Sequence, residues 1–328
     1  MRNEVQARRV TITGRVQGVG FRPFLYRLAH ACAVTGWVRN DAGRVEAHVE
    51  GAPAAVQRFV ERIVAEAPPL ARPRVDGSGA VPAEGHDEFR IVPSREGDPS
   101  DAHLPPDQFA CDDCLAEMAD PAARRHRYPF INCTQCGPRY TIIERLPYDR
   151  PNTAMAGFPL CPDCRREYED PLDRRFDAQP LACPVCGPHL SFRSAAGEWV
   201  DETEGALAAC VAALRTGHVV AVKGIGGYHL MCDATDPEAV GRLRDHKPRP
   251  DKPLAVMVAM AGPDGLEAVR RVAEPTPEEV DLLRDPMRPI VLARRRSDSP
   301  LAETIAPSLT EVGLMLPYSP LHHLLLRE

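Results

Sequence analysis

The sequence predicts a multi-domain chain of α+β and α/β modules: an N-terminal ferredoxin-like domain, a small double metal-binding region and a C-terminal α/β domain. Three observations predict it. Strand and helix patterns follow one another as β-α-β-β-α-β over residues 8–92, the ferredoxin-like order. Eight of the 11 cysteines then fall within residues 107–190, where apolar periodicity is sparse. From about Asp201 alternating helix and strand patterns return. A chain of 328 residues agrees with this division, on a prior of about 100–200 residues per domain.

Val10 and Ile12 alternate with polar residues and predict the first strand. Phe21, Phe24, Leu25, Leu28, Ala29 and Cys32 recur at helical steps. Gly36-Trp37-Val38 predicts the second strand; Val45, Ala47 and Val49 predict the third, after a turn at Asp41-Ala42-Gly43. A second helix opens near Pro53 with Val56, Phe59, Val60, Ile63 and Val64 on one face. The stretch Pro68 to Gly85 is rich in Pro and Gly and carries no assignment, so the last strand is placed at Glu88 to Val92. The domain is drawn at residues 1–93, and Pro, Asp and Ser mark a linker at 94–106. Residues 107–190 form the metal-binding region and 200–328 the last domain. There, Leu207, Cys210, Val211 and Leu214 predict a helix stopping at Gly217, and His218 to Lys223 a strand entering the loop Gly224-Ile225-Gly226-Gly227. Asp236-Pro237 opens another helix; Leu254 to Val258 and Pro289 to Ala293 predict strands, and Leu321 to Leu326 a closing apolar helix. The Leu-rich end predicts a docked tail or a fragment of a longer protein.

The cysteines carry the strongest local signal. Cys111, Cys114, Cys133 and Cys136 form C-x2-C-x18-C-x2-C, and Cys161, Cys164, Cys183 and Cys186 repeat it 50 residues on. Asp120-Pro121, Arg124-Arg125 and Cys136-Gly137-Pro138 recur as Asp170-Pro171, Arg174-Arg175 and Cys186-Gly187-Pro188, so the unit is duplicated. Zinc takes four thiolates in a tetrahedron, and a C-x2-C knuckle supplies two of them from one tight turn. Full thiolate sets leave no open position, which predicts two structural Zn2+ ions. Spacing leaves two pairings open, within each repeat or interleaved between them. Cys32 and Cys210 fall on apolar helix faces and take no role, nor does Cys232.

Between the first strand and first helix runs Gly14-Arg15-Val16-Gln17-Gly18-Val19-Gly20-Phe21-Arg22. Glycines let successive N–H groups turn toward an anion, and the helix N-terminus adds positive potential. Gln17, Gly18, Val19, Gly20 and Phe21 are the candidate phosphate loop, Arg22 a candidate clamp, and Asn40 is placed to hold a water. The region resembles the acylphosphatase family, whose signatures G-x-V-Q-G-V-x-F-R and G-x-V-x-N stand intact here. The resemblance implies catalytic roles for Arg22, on the phosphoryl group, and Asn40, on the attacking water.

Lys247-Pro248-Arg249-Pro250-Asp251-Lys252-Pro253 holds three cations between stiff prolines and suits a nucleotide phosphate chain. With Lys223-Gly224-Ile225-Gly226-Gly227-Tyr228-His229 it resembles the YrdC-like domains, which bind ATP and form acyl-adenylates. The resemblance maps nucleotide binding to Lys223, Lys247, Arg249 and Lys252. The order of the three modules is similar to the HypF family of carbamoyltransferases. Further likeness lies in Tyr128-Pro129-Phe130-Ile131-Asn132-Cys133, Cys136-Gly137-Pro138-Arg139-Tyr140, Leu146-Pro147-Tyr148-Asp149-Arg150 and Arg174-Arg175-Phe176. That resemblance implies hydrolysis of carbamoyl phosphate, adenylation of the carbamate by ATP with Mg2+, and transfer to the C-terminal cysteine of a HypE-type partner in [NiFe] hydrogenase maturation. Asp177 departs from the family, which usually has histidine there. The family continues well beyond this length, so a truncated YrdC-like domain and an absent final-transfer domain are expected.

A net charge of −6 gives no overall basic field for nucleic acid or membrane. The polar stretch Met1 to Val10 and the lack of an apolar span of about 20 residues predict a cytoplasmic protein with reduced thiols. Two further readings are an RNA-binding zinc protein, using Arg124-Arg125, Arg174-Arg175 and Arg294-Arg295-Arg296, and a stand-alone acylphosphatase.

Overall fold

The computed structural model describes residues 5–41, 44–68, 70–93, 107–145, 148–247 and 252–328. The expected linker 94–106, Ala42-Gly43 of the first hairpin turn, Leu146-Pro147 and Arg249 lie outside the described residues. The chain separates into two compact units, one of residues 1–111 with 132–187, the other of 112–131 with 188–328.

In the first unit, strand β1 (Gln6–Arg15), helix α1 (Phe21–Cys32), strands β2 (Thr35–Asp41) and β3 (Arg44–Gly51) and helix α2 (Pro53–Ala65) follow the expected order. Strands β4 (Arg72–Val81) and β5 (Phe89–Ile91) complete a five-stranded sheet of order β4-β1-β3-β2-β5. Val10, Ile12, Val45, Ala47 and Val49 project from one face onto Leu25, Leu28, Val56, Phe59 and Ile63 of the two helices. Alternation therefore puts His48 and its same-face neighbours on the other side of the sheet.

Two expectations are corrected here. The strand expected at Glu88 to Val92 is present as Phe89–Ile91, parallel to β2 at one edge, but the stretch that carried no assignment holds a further and longer strand, β4, antiparallel to β1 at the opposite edge. β4 has no buried residue, so it lacks the apolar alternation that marks a strand, and its edge position tolerates Pro73 and two glycines. Val64 does not join the buried face of α2 but is 50% exposed. It follows Ile63 at the helix end, beyond the stripe of Val56, Phe59, Val60 and Ile63.

The cysteine-rich repeats share several equivalent backbone hydrogen bonds. Helices α3 (Asp112–Ala119) and α4 (Pro162–Glu169) occupy equivalent positions. The N–H of Arg127 donates to Met118 C=O at 2.9 Å, as Asp177 does to Tyr168 at 3.0 Å. Both Arg127 and Asp177 have left-handed backbone, at φ 55° and 56°. Cys136 and Cys186 close their knuckles onto Cys133 and Cys183 at 3.1 Å each.

In the second unit, a hairpin of β6 (Phe192–Arg193) and β7 (Trp199–Val200) precedes helix α5 (Thr203–Arg215). A second hairpin pairs β8 (Val220–Lys223) with β9 (Tyr228–Met231). Helix α6 (Pro237–His246) is capped by Asp236, whose carboxylate accepts from the N–H groups of Glu238 and Ala239. A four-stranded sheet of order β10-β13-β12-β11 then assembles from β10 (Val256–Met257), β11 (Ala273–Glu274), β12 (Val291–Arg295) and β13 (Glu311–Met315). Helices α7 (Glu267–Val272), α8 (Pro277–Arg284) and α9 (Pro320–Arg327) complete it, the middle one with a reciprocal Thr276–Glu279 capping box. The mixed α/β class is as expected. The strand expected from His218 begins at Val220 and that from Pro289 at Val291, because Gly217 is left-handed and Ile290 is exposed.

Candidate phosphate loop and cysteine clusters

The β1–α1 connection is built around two glycines. Gly18 and Gly20 take φ of +68° and +69°, conformations that cost a side chain dearly. Gly20 is the N-cap of α1 and supplies no capping side chain, so the first-turn N–H groups are left for a bound acceptor. Val16 and Val19 anchor the loop, each 1% exposed. Gln17 Nε2 reaches the Arg44 carbonyl at 3.5 Å, on the hairpin whose other strand carries Asn40. Asn40 Oδ1 is buried and has no hydrogen-bond partner. A buried amide oxygen in that condition is costly unless a water or ligand supplies the missing donor.

Arg22 follows the loop and remains partly exposed. Its guanidinium faces Asp177 Oδ2 at 3.6 Å. Asp177 is itself held by Tyr168 Oη and Gln179 Nε2, both directed at Oδ1. The loop thus meets residues of the cysteine-rich region. A Cβ on Gly20 would come within 2.8 Å of the Thr134 side chain, and one on Gly18 within 3.1 Å of Pro138. Sequence reasoning missed Thr134 and Pro138 as walls of this loop. Asp177 was visible only as a departure from a family pattern.

In each repeat the four cysteine sulfurs lie within 4.8 Å of one another, which settles the pairing within repeats. Sγ–Sγ distances of 3.5 Å for Cys111–Cys133, 3.9 Å for Cys133–Cys136, 3.8 Å for Cys161–Cys183 and 3.7 Å for Cys183–Cys186 were found. A tetrahedral ion with bonds of about 2.3 Å demands edges of about 3.8 Å. The donor sets therefore fit one closed metal centre each. No disulfide joins the eleven cysteines. Burial pushes the Cys210 thiol up to about 11, as suits an inert core thiol.

In the second unit Lys223 ends β8 with its ammonium 6.0 Å from the Tyr228 ring, and Lys247 caps α6. Lys252 is exposed. His229, Tyr318 and His322 converge on Gly224: His229 Nε2 and Tyr318 Oη are 2.6 Å apart, and the His322 ring packs on both. Both His322 nitrogens are buried without a partner.

Burial first, then the charges of His229 and His323, holds His322 down to about 4; burial, Arg288 and Arg327 do the same to His323. A histidine lowered from its ordinary 6.5 binds fewer protons folded than unfolded between pH 4 and 6.5. Stability is expected to fall as pH drops through that window, by about 3 kcal/mol for each of the two histidines. Urea denaturation at a series of pH values checks this, with His322→Phe expected to flatten the dependence by about half.

Comparisons with known proteins bear directly on these features. Family models match residues 8–91 (Acylphosphatase), 110–143 with 160–193 (HypF finger), and 212–328 (Telomere recombination, the Sua5, YciO and YrdC group). The carbamoyltransferase HypF of Synechocystis sp. is 50% identical over 97% of this chain and 41% of its own length. A crystal structure of full-length HypF in the phosphate- and nucleotide-bound form superposes with a TM-score of 0.86 at 42% identity, over 99% of this chain and 41% of that one. The chain belongs to the HypF family. It spans about two fifths of the length of the curated HypF relatives it matches. The acylphosphatase of Bacillus subtilis is 41% identical over 26% of this chain and 93% of its own length.

Within this chain the second arginine of each repeated pair is not part of a loose basic face. Arg125 and Arg175 are 1% and 4% exposed, Arg125 facing Glu117 and Arg175 donating to the Asn132 carbonyl. Arg296 pairs with Asp298 at 2.7 Å. No described helix is long and apolar enough to cross a membrane.

Proposed function

We propose that the chain performs the carbamoyl-phosphate hydrolysing and carbamate-activating steps of a HypF carbamoyltransferase. The observation that carries this reading is the left-handed glycine loop ending in Arg22, folded at the N-terminus of α1 beside the hairpin that holds Asn40. Three domains divide the work: 1–93 for hydrolysis, 107–190 as a double zinc scaffold and 200–328 for nucleotide and carbamoyl-adenylate. Water attacks the phosphorus of carbamoyl phosphate, the carbamate oxygen departs and inorganic phosphate remains. Arg22 and the loop N–H groups of Gly18 to Phe21 bind the charge that builds on the phosphoryl oxygens, and Asn40 Oδ1 accepts a hydrogen bond from the attacking water. Carbamate then attacks the α-phosphorus of Mg2+-bound ATP with loss of pyrophosphate, with Lys223, Lys247, Arg249 and Lys252 on the nucleotide phosphates. Transfer to the terminal cysteine of a HypE-type partner belongs to the part of the relatives this chain does not match. Zinc, coordinated by four thiolates at each centre, is structural here.

The test is phosphate release from carbamoyl phosphate by the zinc-loaded chain, with ATP–pyrophosphate exchange measured in parallel. Release together with carbamoyl-phosphate-dependent exchange is expected. Release alone would reduce the reading to an acylphosphatase, and no release from folded, zinc-loaded protein would overturn it.

Asp177 tunes the same site. Its carboxylate competes with a phosphoryl group for Arg22. Removing the charge in Asp177→Asn, which tolerates the left-handed backbone, is expected to tighten inorganic phosphate binding about two- to fivefold, the scale of a part-exposed ion pair. Product-inhibition kinetics read this directly.

A further inference from the structure

On the sheet face away from the two helices lies a cluster that the hydrolytic site does not use. His48 on β3 is fully buried and stacked on Trp37 of β2, with ring centroids 5.8 Å apart and planes 15° from parallel. Its Nε2 is 2.6 Å from Glu50 Oε1. Glu50 also accepts the backbone N–H groups of Glu84, Gly85 and His86, which pins the connection after β4 across this face. Burial alone would raise the Glu50 carboxyl, but the hydrogen bonds from His48 and these amides outweigh it and hold the group below its usual range. Glu50 is therefore an acceptor, His48 donates from Nε2, and the lone pair of the ring sits on Nδ1.

That Nδ1 is buried and has no hydrogen-bond partner. It looks onto Glu84 Oε1 at 3.7 Å, beyond hydrogen-bond range. His86 Nε2 lies 3.0 Å from the other Glu84 oxygen. One nitrogen from each histidine and one Glu84 oxygen all fall within 4.8 Å of one another. The buried Nδ1 lone pair faces this partly exposed carboxylate, which also accepts from Arg9, and the contact is repulsive unless a cation stands between them. Ligand bonds of about 2.1 Å in a tetrahedron would separate the donor atoms by about 3.4 Å, a value bracketed by the 3.7 Å from His48 to one Glu84 oxygen and the 3.0 Å from His86 to the other.

We infer that His48, Glu84 and His86 form a third metal site, for a divalent transition-metal ion of the Zn2+ type with one position left open. Two imidazoles and one carboxylate are a borderline-soft set that suits such an ion over Mg2+ or Ca2+. Glu50 is the carboxylate that orients the metal-bound imidazole from behind and raises its basicity. Trp37 Nε1 and Arg9, which both donate to Glu84, steady the third ligand. The site draws on no finger cysteine and on neither Arg22 nor Asn40, so it stands apart from the hydrolytic reading.

The test is Co2+ titration of the full chain already holding Zn2+ in its cysteine centres, followed by visible absorption and by metal counting after dialysis. A third equivalent is expected, with d–d bands but without the thiolate charge-transfer that cobalt on four cysteines produces. His86→Ala and Glu84→Gln, both on the connection outside the helices and core, are expected to return the count to two. Glu50→Gln is expected to weaken the third site about 10–100-fold. Two equivalents in the wild type would overturn the inference. A third equivalent unchanged in both His86→Ala and Glu84→Gln would overturn it equally. Thiolate charge-transfer in an all-cobalt preparation of each variant verifies that the fingers remain formed, so loss of the fold is not mistaken for loss of the site.

Discussion

Cys183→Ser is expected to release one of the two finger metals and to unfold the second repeat. The reason lies in how little else holds that repeat together. Its buried core is Cys164, Ala178, Leu181 and Cys183, and two of those four are ligands. Leu160 and Tyr168 pack against it only partly buried, and Val185 and Leu172 are 82% and 57% exposed. Burying one leucine and one alanine contributes a few kcal/mol at most, whereas fixing about thirty residues costs roughly 1–2 kcal/mol each. Metal coordination, at about 10–16 kcal/mol for four-ligand zinc modules, is the term that reverses the balance. The count of cysteine-bound metal should therefore fall from two to one per chain, and limited proteolysis should open between residues 160 and 190. Phosphate release should fall with it, because Asp177 beside Arg22 and Arg174, whose carbonyl accepts from Thr134 at the phosphate loop, both belong to that repeat. A variant that keeps two metals and resists protease as the wild type does would show that the protein packing suffices without the ion.

Legibility in the sequence followed the strength of the local physical signal. Helices α1 and α2 were readable because their buried residues recur at helical steps, and the cysteine repeats because ligand spacing is a short-range constraint. β4 was not readable: its side chains face solvent, and only pairing with β1, distant in sequence, makes it a strand. The glycine loop, Arg22 and Asn40 could be singled out from motif alone, but their surroundings could not. Thr134 and Pro138 approach the loop from more than a hundred residues away, through tertiary packing that no periodicity encodes. The His48, Glu84 and His86 cluster was invisible for the same reason. On β3, His48 occupied a position that alternation assigns to the polar face, Glu84 lay in the stretch without assignment and His86 just beyond it. The cationic pairs misled in the opposite direction. Arg124-Arg125 and Arg174-Arg175 look like solvated charge, yet Arg125 and Arg175 turn inward within the fingers.

The larger catalytic effect is expected at Arg22. Arg22→Ala should lower kcat/KM for phosphate release from carbamoyl phosphate by about 10³-fold or more, equivalent to about 4 kcal/mol of lost transition-state stabilisation. Two features of the site set that magnitude. The helix N-terminus and the glycines supply partial charges only, and Arg15 sits back at the end of β1, so the Arg22 guanidinium is the full positive charge carried in the first turn of α1. A planar fork can meet two phosphoryl oxygens at once, which an ammonium cannot do, so Arg22→Lys should recover only part of the loss. Asn40→Ala should behave differently. Its buried, unpartnered Oδ1 points to a role in holding water and not substrate, so kcat should fall about 10²-fold with KM nearly unchanged. The contrast separates a clamp from a water-positioning group in one set of steady-state measurements. Arg22→Ala turning over within threefold of the wild type would remove the phosphoryl clamp from this loop. An Asn40→Ala effect confined to KM would move that residue from the water to the substrate.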